Sequence, residues 1–116
     1  MAFKAALVRF LRQIKTIRNS LTLTATGTNT LIAAGAGGVF RDITFLQASN
    51  TSATGVRIDV SDGVITYSYF LAPSGGGFNE NFDPPLAASS PAQAWTVAIS
   101  ASVTDVRVSA QAVETI

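Results

Sequence analysis

The sequence predicts an all-β fold: an antiparallel β-sandwich or jelly roll of about eight strands, preceded by an N-terminal amphipathic helical or extended arm. From residue 20 onward, short segments rich in Val, Ile, Thr and Phe alternate with Gly, Pro, Asn and Ser. Within several segments apolar and polar residues alternate, which is the period of a strand with one buried face. Regularly spaced short strands separated by turn residues are typical of sandwiches and jelly rolls.

Charge divides the chain into two parts. The first acid is Asp42, whereas five of the eight cations precede residue 19: Lys4, Arg9, Arg12, Lys15 and Arg18. We therefore predict a basic arm at residues 1–19 and one β-domain at residues 20–116, since 116 residues suffice for one domain of ordinary size. Only 13% of the residues are charged, against roughly 25% in average domains, and the net charge is +1. A surface so poor in charge is suited to protein contacts.

The arm has the pattern of an amphipathic helix. On a helical wheel its apolar residues share an arc of roughly 120°, and these are Phe3, Leu7, Phe10, Leu11, Ile14 and Ile17. Four of the five cations, all but Arg18, lie outside this arc, although residues 13–18 also fit an extended strand. We interpret these eleven residues as the partner-binding residues of the chain.

Three kinds of partner fit a basic amphipathic arm: an acidic protein groove, nucleic acid phosphates and an anionic membrane surface. Protein docking, on a partner or on the chain's own sheet, is favoured. Five charges give modest electrostatics, and the only aromatic residues in the arm that could stack on bases are Phe3 and Phe10. Nucleic acid and membrane are therefore not the expected partners. No run of about 20 apolar residues indicates a membrane-spanning helix, and Arg9 interrupts the only candidate signal segment.

The strands are expected at residues 21–26, 30–34, 39–47, 56–60, 64–71, 78–82, 94–101 and 105–113. Asp62-Gly63 between two β-rich runs predicts a hairpin, and the prolines at 84 and 85 predict the end of the sixth strand. The expected core residues are Phe40, Ile43, Phe45, Trp95, Val97, Ile99, Val103, Val106 and Val108.

Composition removes most catalytic chemistry. The chain has no cysteine and no histidine, which excludes thiol catalysis and disulfides and removes the commonest general base and metal ligand. The nearest pairs of acids, Asp59 with Asp62 and Glu80 with Asp83, fit solvated turns better than a paired-carboxylate or calcium site. The glycine runs at 35–38 and 75–77 precede strands, not the helix that a phosphate-binding loop needs. We expect no enzymatic activity, cofactor, metal or small-molecule substrate.

One further pattern leaves an alternative open. Tyr67, Tyr69 and Phe70 lie close together in the predicted fifth strand, and aromatic faces can stack on sugars. Core and rim positions of a strand are the favoured interpretation of such residues. A carbohydrate- or receptor-binding module using Tyr67, Tyr69 or Trp95 is the alternative.

A resemblance adds a functional expectation. Its motifs are TLIAA at 30–34 leading through glycines to FRDITF at 40–45, VRIDVSDG at 56–63, FLAP at 70–73, GGGF at 75–78, NFDPPL at 81–86 and the alternation from 95 to 108. With these motifs residues 29–113 resemble small virion proteins of tailed bacteriophages that have jelly-roll-like β-domains. The motifs are loose patterns of strands and turns.

The resemblance implies a non-enzymatic role on the virus particle. It implies a decoration or cement subunit on the capsid surface, commonly a homotrimer, whose partners are the major capsid protein or other virion proteins. The basic leader is less typical of this group. It leaves open a position in the tail, the collar or a fibre anchor.

Overall fold

The computed structural model describes residues 15–115, which form eight strands in two antiparallel sheets. The described residues contain no helix. The strands are β1 (Thr16–Leu23), β2 (Asn29–Ile32), β3 (Phe40–Asn50), β4 (Val56–Ser61), β5 (Thr66–Leu71), β6 (Gly76–Leu86), β7 (Trp95–Ile99) and β8 (Val106–Thr115). The prediction of an all-β sandwich of about eight strands is thereby confirmed. No helix in this part of the chain is long and apolar enough to cross a membrane.

The strand order is nested. One sheet has the order β1-β8-β3-β6 and the other β2-β7-β4-β5. The first strand therefore pairs with the last, the second with the seventh, the third with the sixth and the fourth with the fifth. Two further pairings, β3 with β8 and β4 with β7, complete the sheets. β1 contacts β2 and β5 contacts β6, so the edge strands of the two sheets lie beside each other on both sides of the sandwich.

The core lies between the inward faces of the two sheets. Alternate residues of β4, β7 and β8 are buried, as period-two patterning requires. Trp95 is fully buried, and its indole N–H donates to the carbonyl oxygen of Arg41 at 2.7 Å. Burial of the predicted core residues Ile43, Trp95, Val97, Ile99, Val106 and Val108 is confirmed. Phe40 and Val103 are half-buried at the margin of this core.

A β-bulge explains why Phe45 is not a core residue as predicted. Ile43 pairs with Ala112 and Phe45 with Gln111, so Thr44 is an extra residue in β3. The Thr44 hydroxyl donates to the carbonyl oxygen of Gln111 at 3.2 Å. The extra residue reverses the alternation, so that Leu46 faces the core and Phe45 is only half-buried.

Several strands extend beyond their predicted bounds, and β1 and β6 do so most. β1 begins at Thr16, four residues before the boundary expected at residue 20. The prediction that the prolines end the sixth strand is wrong, because β6 continues to Leu86. β6 is an edge strand, where a residue without an N–H is tolerated. Its register against β3 jumps from Asn81 to Leu86 around the two prolines.

Candidate protein-binding surface

Three of the eleven predicted partner-binding residues lie in the described part of the chain. Ile17 is half-buried against the chain's own core, and Arg18 is exposed on β1. Lys15 precedes β1 and its Nζ lies 3.4 Å from Oε2 of Glu114. The other eight lie outside the described residues: Phe3, Lys4, Leu7, Arg9, Phe10, Leu11, Arg12 and Ile14. The partner-binding role of the arm stays a prediction.

An ion-pair network holds the start of β1 in place. Arg41 donates from Nε and from a terminal nitrogen to Oε1 of Glu114, at 2.8 and 2.7 Å. This pairing lowers the pKa of Glu114 against the opposing effect of burial, and Lys15 lowers it further. Arg41 also donates to the carbonyl oxygen of Ala33 at 2.8 Å. The start of β1 is therefore held to β8 and β3 near residue 15.

Asp62 organises the β4–β5 hairpin as a buried carboxylate. It accepts from the backbone N–H groups of Val64 and Ile65 at 2.9 and 2.8 Å, and from the N–H and hydroxyl of Ser89 at 2.7 and 2.5 Å. Burial opposes ionisation, but these hydrogen bonds outweigh it and lower the pKa of Asp62 to about 2. The prediction of a turn carboxylate is confirmed, but the prediction that it is solvated is wrong, because Asp62 is fully buried. The group ties the hairpin to the β6–β7 connection.

Neither of the two acidic pairs, Asp59 with Asp62 or Glu80 with Asp83, forms a metal site in the described part of the chain. Residues 15–115 hold no group of three side chains suited to a metal ion. Asp59 lies on the outer face of β4, where Arg57 donates to both of its oxygens at 3.0 and 3.1 Å and Ser68 donates at 2.6 Å. These bonds, the one from Arg57 first, lower the pKa of Asp59.

The glycine runs form turns and strand starts, as predicted. Gly38 and Gly75 have φ angles of +80° and +103°, which favour glycine. β3 begins shortly after the first run, and β6 begins within the second. Neither run therefore leads into a helix N-terminus that could hold a phosphate.

The aromatic residues divide between the core and the margin of the sandwich. Tyr67 packs near Trp95 with ring centroids 6.3 Å apart, and Tyr69 stacks on Phe78 at 4.4 Å. Since Trp95 is fully buried, it has no face for a sugar. Phe70, by contrast, is 65% exposed.

The exposed large apolar side chains lie at the two ends of one strand, β5. In the described chain they are Val64, Ile65 and Phe70, with exposed fractions of 72%, 46% and 65%. All three belong to β5 or to the turn that leads into it. We call these three residues, together with the free side of β5, the β5 edge surface. The sequence prediction singled out the arm and missed this surface. A signal was present, because residues 64–71 carry no charge whereas β4, the other strand of the hairpin, carries Arg57 and Asp59.

A shallow groove of about 510 Å³ adjoins this surface. It runs between the edge strands β5 and β6, and Tyr69, Phe70, Phe78 and Glu80 line it. Burial, and then the nearby Glu80 and Tyr67, raise the pKa of Tyr69. The lining of the groove is mixed, because Ser68, Asn79 and Glu80 accompany the aromatic residues.

Comparison with known proteins places the fold but no family. No protein-family model matches the chain, and no curated protein matches it. A crystal structure of PirA matches with a TM-score of 0.54 and 10% identity, over 81% of this chain and 92% of that one. This likeness supports the two-sheet fold alone.

Two viral structures also match. The cyanophage Pam1 capsid asymmetric unit has a TM-score of 0.47 and 18% identity, over 85% of this chain and 83% of that one. The virus-like particle of extra small virus from the giant freshwater prawn Macrobrachium rosenbergii has 0.45 and 13%, over 87% and 79%. Both TM-scores lie below 0.5, and neither likeness indicates a function.

Proposed function

We propose that this chain is a non-enzymatic structural protein of a tailed-bacteriophage virion, attached by multivalent protein contacts. A capsid decoration or cement subunit on the outer surface of the shell is the leading form of the proposal. The sequence resemblance supports it. The strand order supports it too, because β1 pairs with β8, β2 with β7, β3 with β6 and β4 with β5. We infer that this nested order is that of a jelly roll, an architecture common in viral capsid domains.

Most carboxylates of the described chain accept hydrogen bonds within the fold, and this observation supports the proposal. Asp42 accepts from the N–H of Ala88 at 2.8 Å, and Asp105 accepts from the Thr51 hydroxyl at 2.8 Å. Asp59, Asp62 and Glu114 are bonded internally as described above, so five of the seven acids in the sequence hold the fold together. The outer surface of the described chain carries many Ser, Thr and Ala residues, a few large apolar groups and a small number of exposed charges, among them Arg18, Glu80 and Arg107. Such a surface suits adhesion to protein.

The arm adds a second point of attachment. The network around Glu114 holds residue 15 at the edge of one sheet, and we propose that residues 1–14 extend the footprint of the domain. Linking two weak contacts in one chain can raise overall affinity by roughly 10²–10⁴-fold. We therefore propose that the arm cations meet acidic groups of the major capsid protein or of another virion protein.

Binding to particles tests this proposal. Virions lacking the chain are mixed with purified full-length protein, and binding is measured by co-sedimentation. A triple variant, Lys4→Ala with Arg9→Ala and Arg12→Ala, should bind at least tenfold more weakly than the native chain. The control is Arg107→Ala, which removes a cation that is 69% exposed on β8 and should leave binding unchanged.

The outcomes separate the two parts of the proposal. Equal binding by the triple variant would remove the anchoring role of the arm. Failure of the native chain to bind any particle would overturn the virion role. Attachment at the tail, collar or fibre base instead of the shell would select the alternative placement.

Exposed Phe70 favours one second candidate, a carbohydrate- or receptor-binding module. In that case glycan binding would be measurable for the native chain and would disappear in Phe70→Ala. Binding to virions would then be absent.

A further inference from the structure

The backbone of Arg57 shows which groups of β5 point outward. The Arg57 N–H donates to the Ser100 hydroxyl at 2.9 Å, and its carbonyl oxygen accepts from the Ser100 N–H at 2.9 Å. Arg57 therefore directs its main chain toward β7 and away from β5. In an antiparallel ladder the residue opposite, Phe70, then directs its own N–H and C=O away from β4.

The same alternation applies along the strand. Ser68 lies opposite Asp59, two residues after Arg57 in β4, and Thr66 lies opposite Ser61, four residues after Arg57. The N–H and C=O groups of Thr66, Ser68 and Phe70 thus face the open side of β5. No strand of residues 15–115 pairs with that side. Such a row of main-chain groups is a template for another strand.

The other three edge strands each carry a feature that discourages added strands. β1 carries Arg18, and β6 carries Glu80 and the Asp83-Pro84-Pro85 segment with its register jump. β2 has only four residues, and the side-chain amide of Asn19 donates to its Leu31 carbonyl oxygen at 2.9 Å. Among the described strands, β5 is the edge that combines six residues with no charge and no proline.

The apolar residues of the β5 edge surface are held ready for contact. The Phe70 ring lies over Gly55, where an added Cβ would come within 2.7 Å of the ring. Val64 and Ile65 are fixed by the bonds from their N–H groups to Asp62. A partner at this edge would therefore meet an ordered surface.

We propose that the β5 edge pairs with the β5 edge of a second copy of this chain, antiparallel and about a twofold axis at Ser68. In this register Phe70 of each copy lies opposite Thr66 of the other, and Ser68 lies opposite itself. Each of these pairs can form two hydrogen bonds. The turn residues Val64 and Ile65 of one copy then lie next to Phe70 of the other.

A second copy fits this edge better than a charged partner. The strand is neutral, so antiparallel pairing with itself places no like charges opposite each other. A twofold contact of this kind is isologous and closes on two subunits. It is independent of the proposed function, and it predicts even subunit numbers where the resemblance led us to expect a trimer.

Single-cysteine cross-linking of the full chain tests the axis. Because the chain has no cysteine, Ser68→Cys introduces the only thiol. Cα atoms opposite each other in a hydrogen-bonded pair lie about 5.5 Å apart, within the range that a disulfide spans. Mild oxidation should convert Ser68→Cys to a covalent dimer at least tenfold faster than Thr104→Cys, whose exposed thiol lies in the β7–β8 loop. Equal rates would overturn the proposal.

Sedimentation of edge variants supplies an independent test. The native chain should sediment with twice its 12.1 kDa mass or an even multiple. Ser68→Pro removes an outward N–H that the β4–β5 ladder does not use, and Phe70→Lys adds a charge. Each should weaken association at least tenfold, with circular dichroism confirming the fold. Ser68→Ala loses the same hydroxyl but keeps the N–H, so it should associate like the native chain.

Two results would contradict the pairing. One is a native chain that stays monomeric or forms a trimer, and the other is association that Ser68→Pro and Phe70→Lys both leave unchanged. Binding to virions, measured separately, would still report on the proposed function in each case.

Discussion

Asp62 shows how a single ionised side chain can organise a hairpin. A buried carboxylate is costly unless its charge is compensated by hydrogen bonds. Here the donors come from the turn itself, at Val64 and Ile65, and from Ser89, which lies 27 residues away. The arrangement stabilises the charged form, so the stability of the protein depends on pH through this group.

The sign of that dependence follows from the lowered pKa. Since the pKa falls from 3.8 in the unfolded chain to about 2 in the fold, Asp62 contributes its stability above pH 4 and loses it as the pH falls through 2. At 1.36 kcal/mol per unit of pKa the contribution is about 2 kcal/mol. Asp62→Asn should therefore lower the free energy of unfolding by about that amount at pH 7. Urea denaturation from pH 7 to pH 2 measures it.

Asp83→Asn is the matched control, because Asp83 is exposed on β6. It should leave the unfolding free energy at pH 7 nearly unchanged. A native chain whose stability declines between pH 4 and pH 2 no more than that of Asp62→Asn would contradict the assignment.

At the scale of elements, β6 depends on a close approach to β3 that only glycine allows. A Cβ on Gly77 would overlap the carbonyl oxygen of Ala48 and lie 2.9 Å from the Cα of Ser49. Both contacts are with backbone, which cannot rotate away. Besides forming a turn, the glycine run at 75–77 therefore allows β6 to pair closely with β3.

Gly77→Ala should destabilise the sandwich by roughly 1–3 kcal/mol, the usual cost of forcing extra atoms into a packed site. Gly37→Ala is the control: no atom lies within 4 Å of its added Cβ, and its φ is not in the left-handed region. It should change stability by less than about 0.5 kcal/mol. Thermal unfolding of both variants measures the difference, and equal melting temperatures would show that β6 can move away from β3.

The elements that sequence could predict are those encoded locally. The β4–β5 hairpin depends on Asp62-Gly63 and on alternation within adjacent segments, so its existence was predictable. The exclusion of Phe45 from the core was not, because the bulge at Thr44 depends on pairing with Gln111, 67 residues away. Likewise β6 continues past its prolines only because the sheet order places it at an edge.

The binding surface was predictable only in part, for the same reason. Clustered cations and apolar spacing single out the arm from sequence alone. The β5 edge surface requires knowing which side of β5 lacks a partner, and that follows from the strand order. The neutral, apolar run from 64 to 71 was visible, but in isolation it indicates a core strand as readily as an edge.

At the scale of the whole molecule, β1 and the β5 edge surface lie on opposite sides of the sandwich. β1 and β6 are the two edges of one sheet, and β5 lies beside β6. The proposed contact of the arm with a particle and the proposed contact of the β5 edge surface with a second copy would then act together. A small domain with modest individual contacts gains affinity from this arrangement, because each contact makes the other intramolecular.

Cryo-electron microscopy of purified virions tests the central claim most directly. The account predicts density for an eight-stranded sandwich on the outside of the shell, contacting more than one capsid subunit, with residues 1–14 reaching a neighbour. Virions whose reconstruction and protein content both lack the chain would contradict a structural role in the particle.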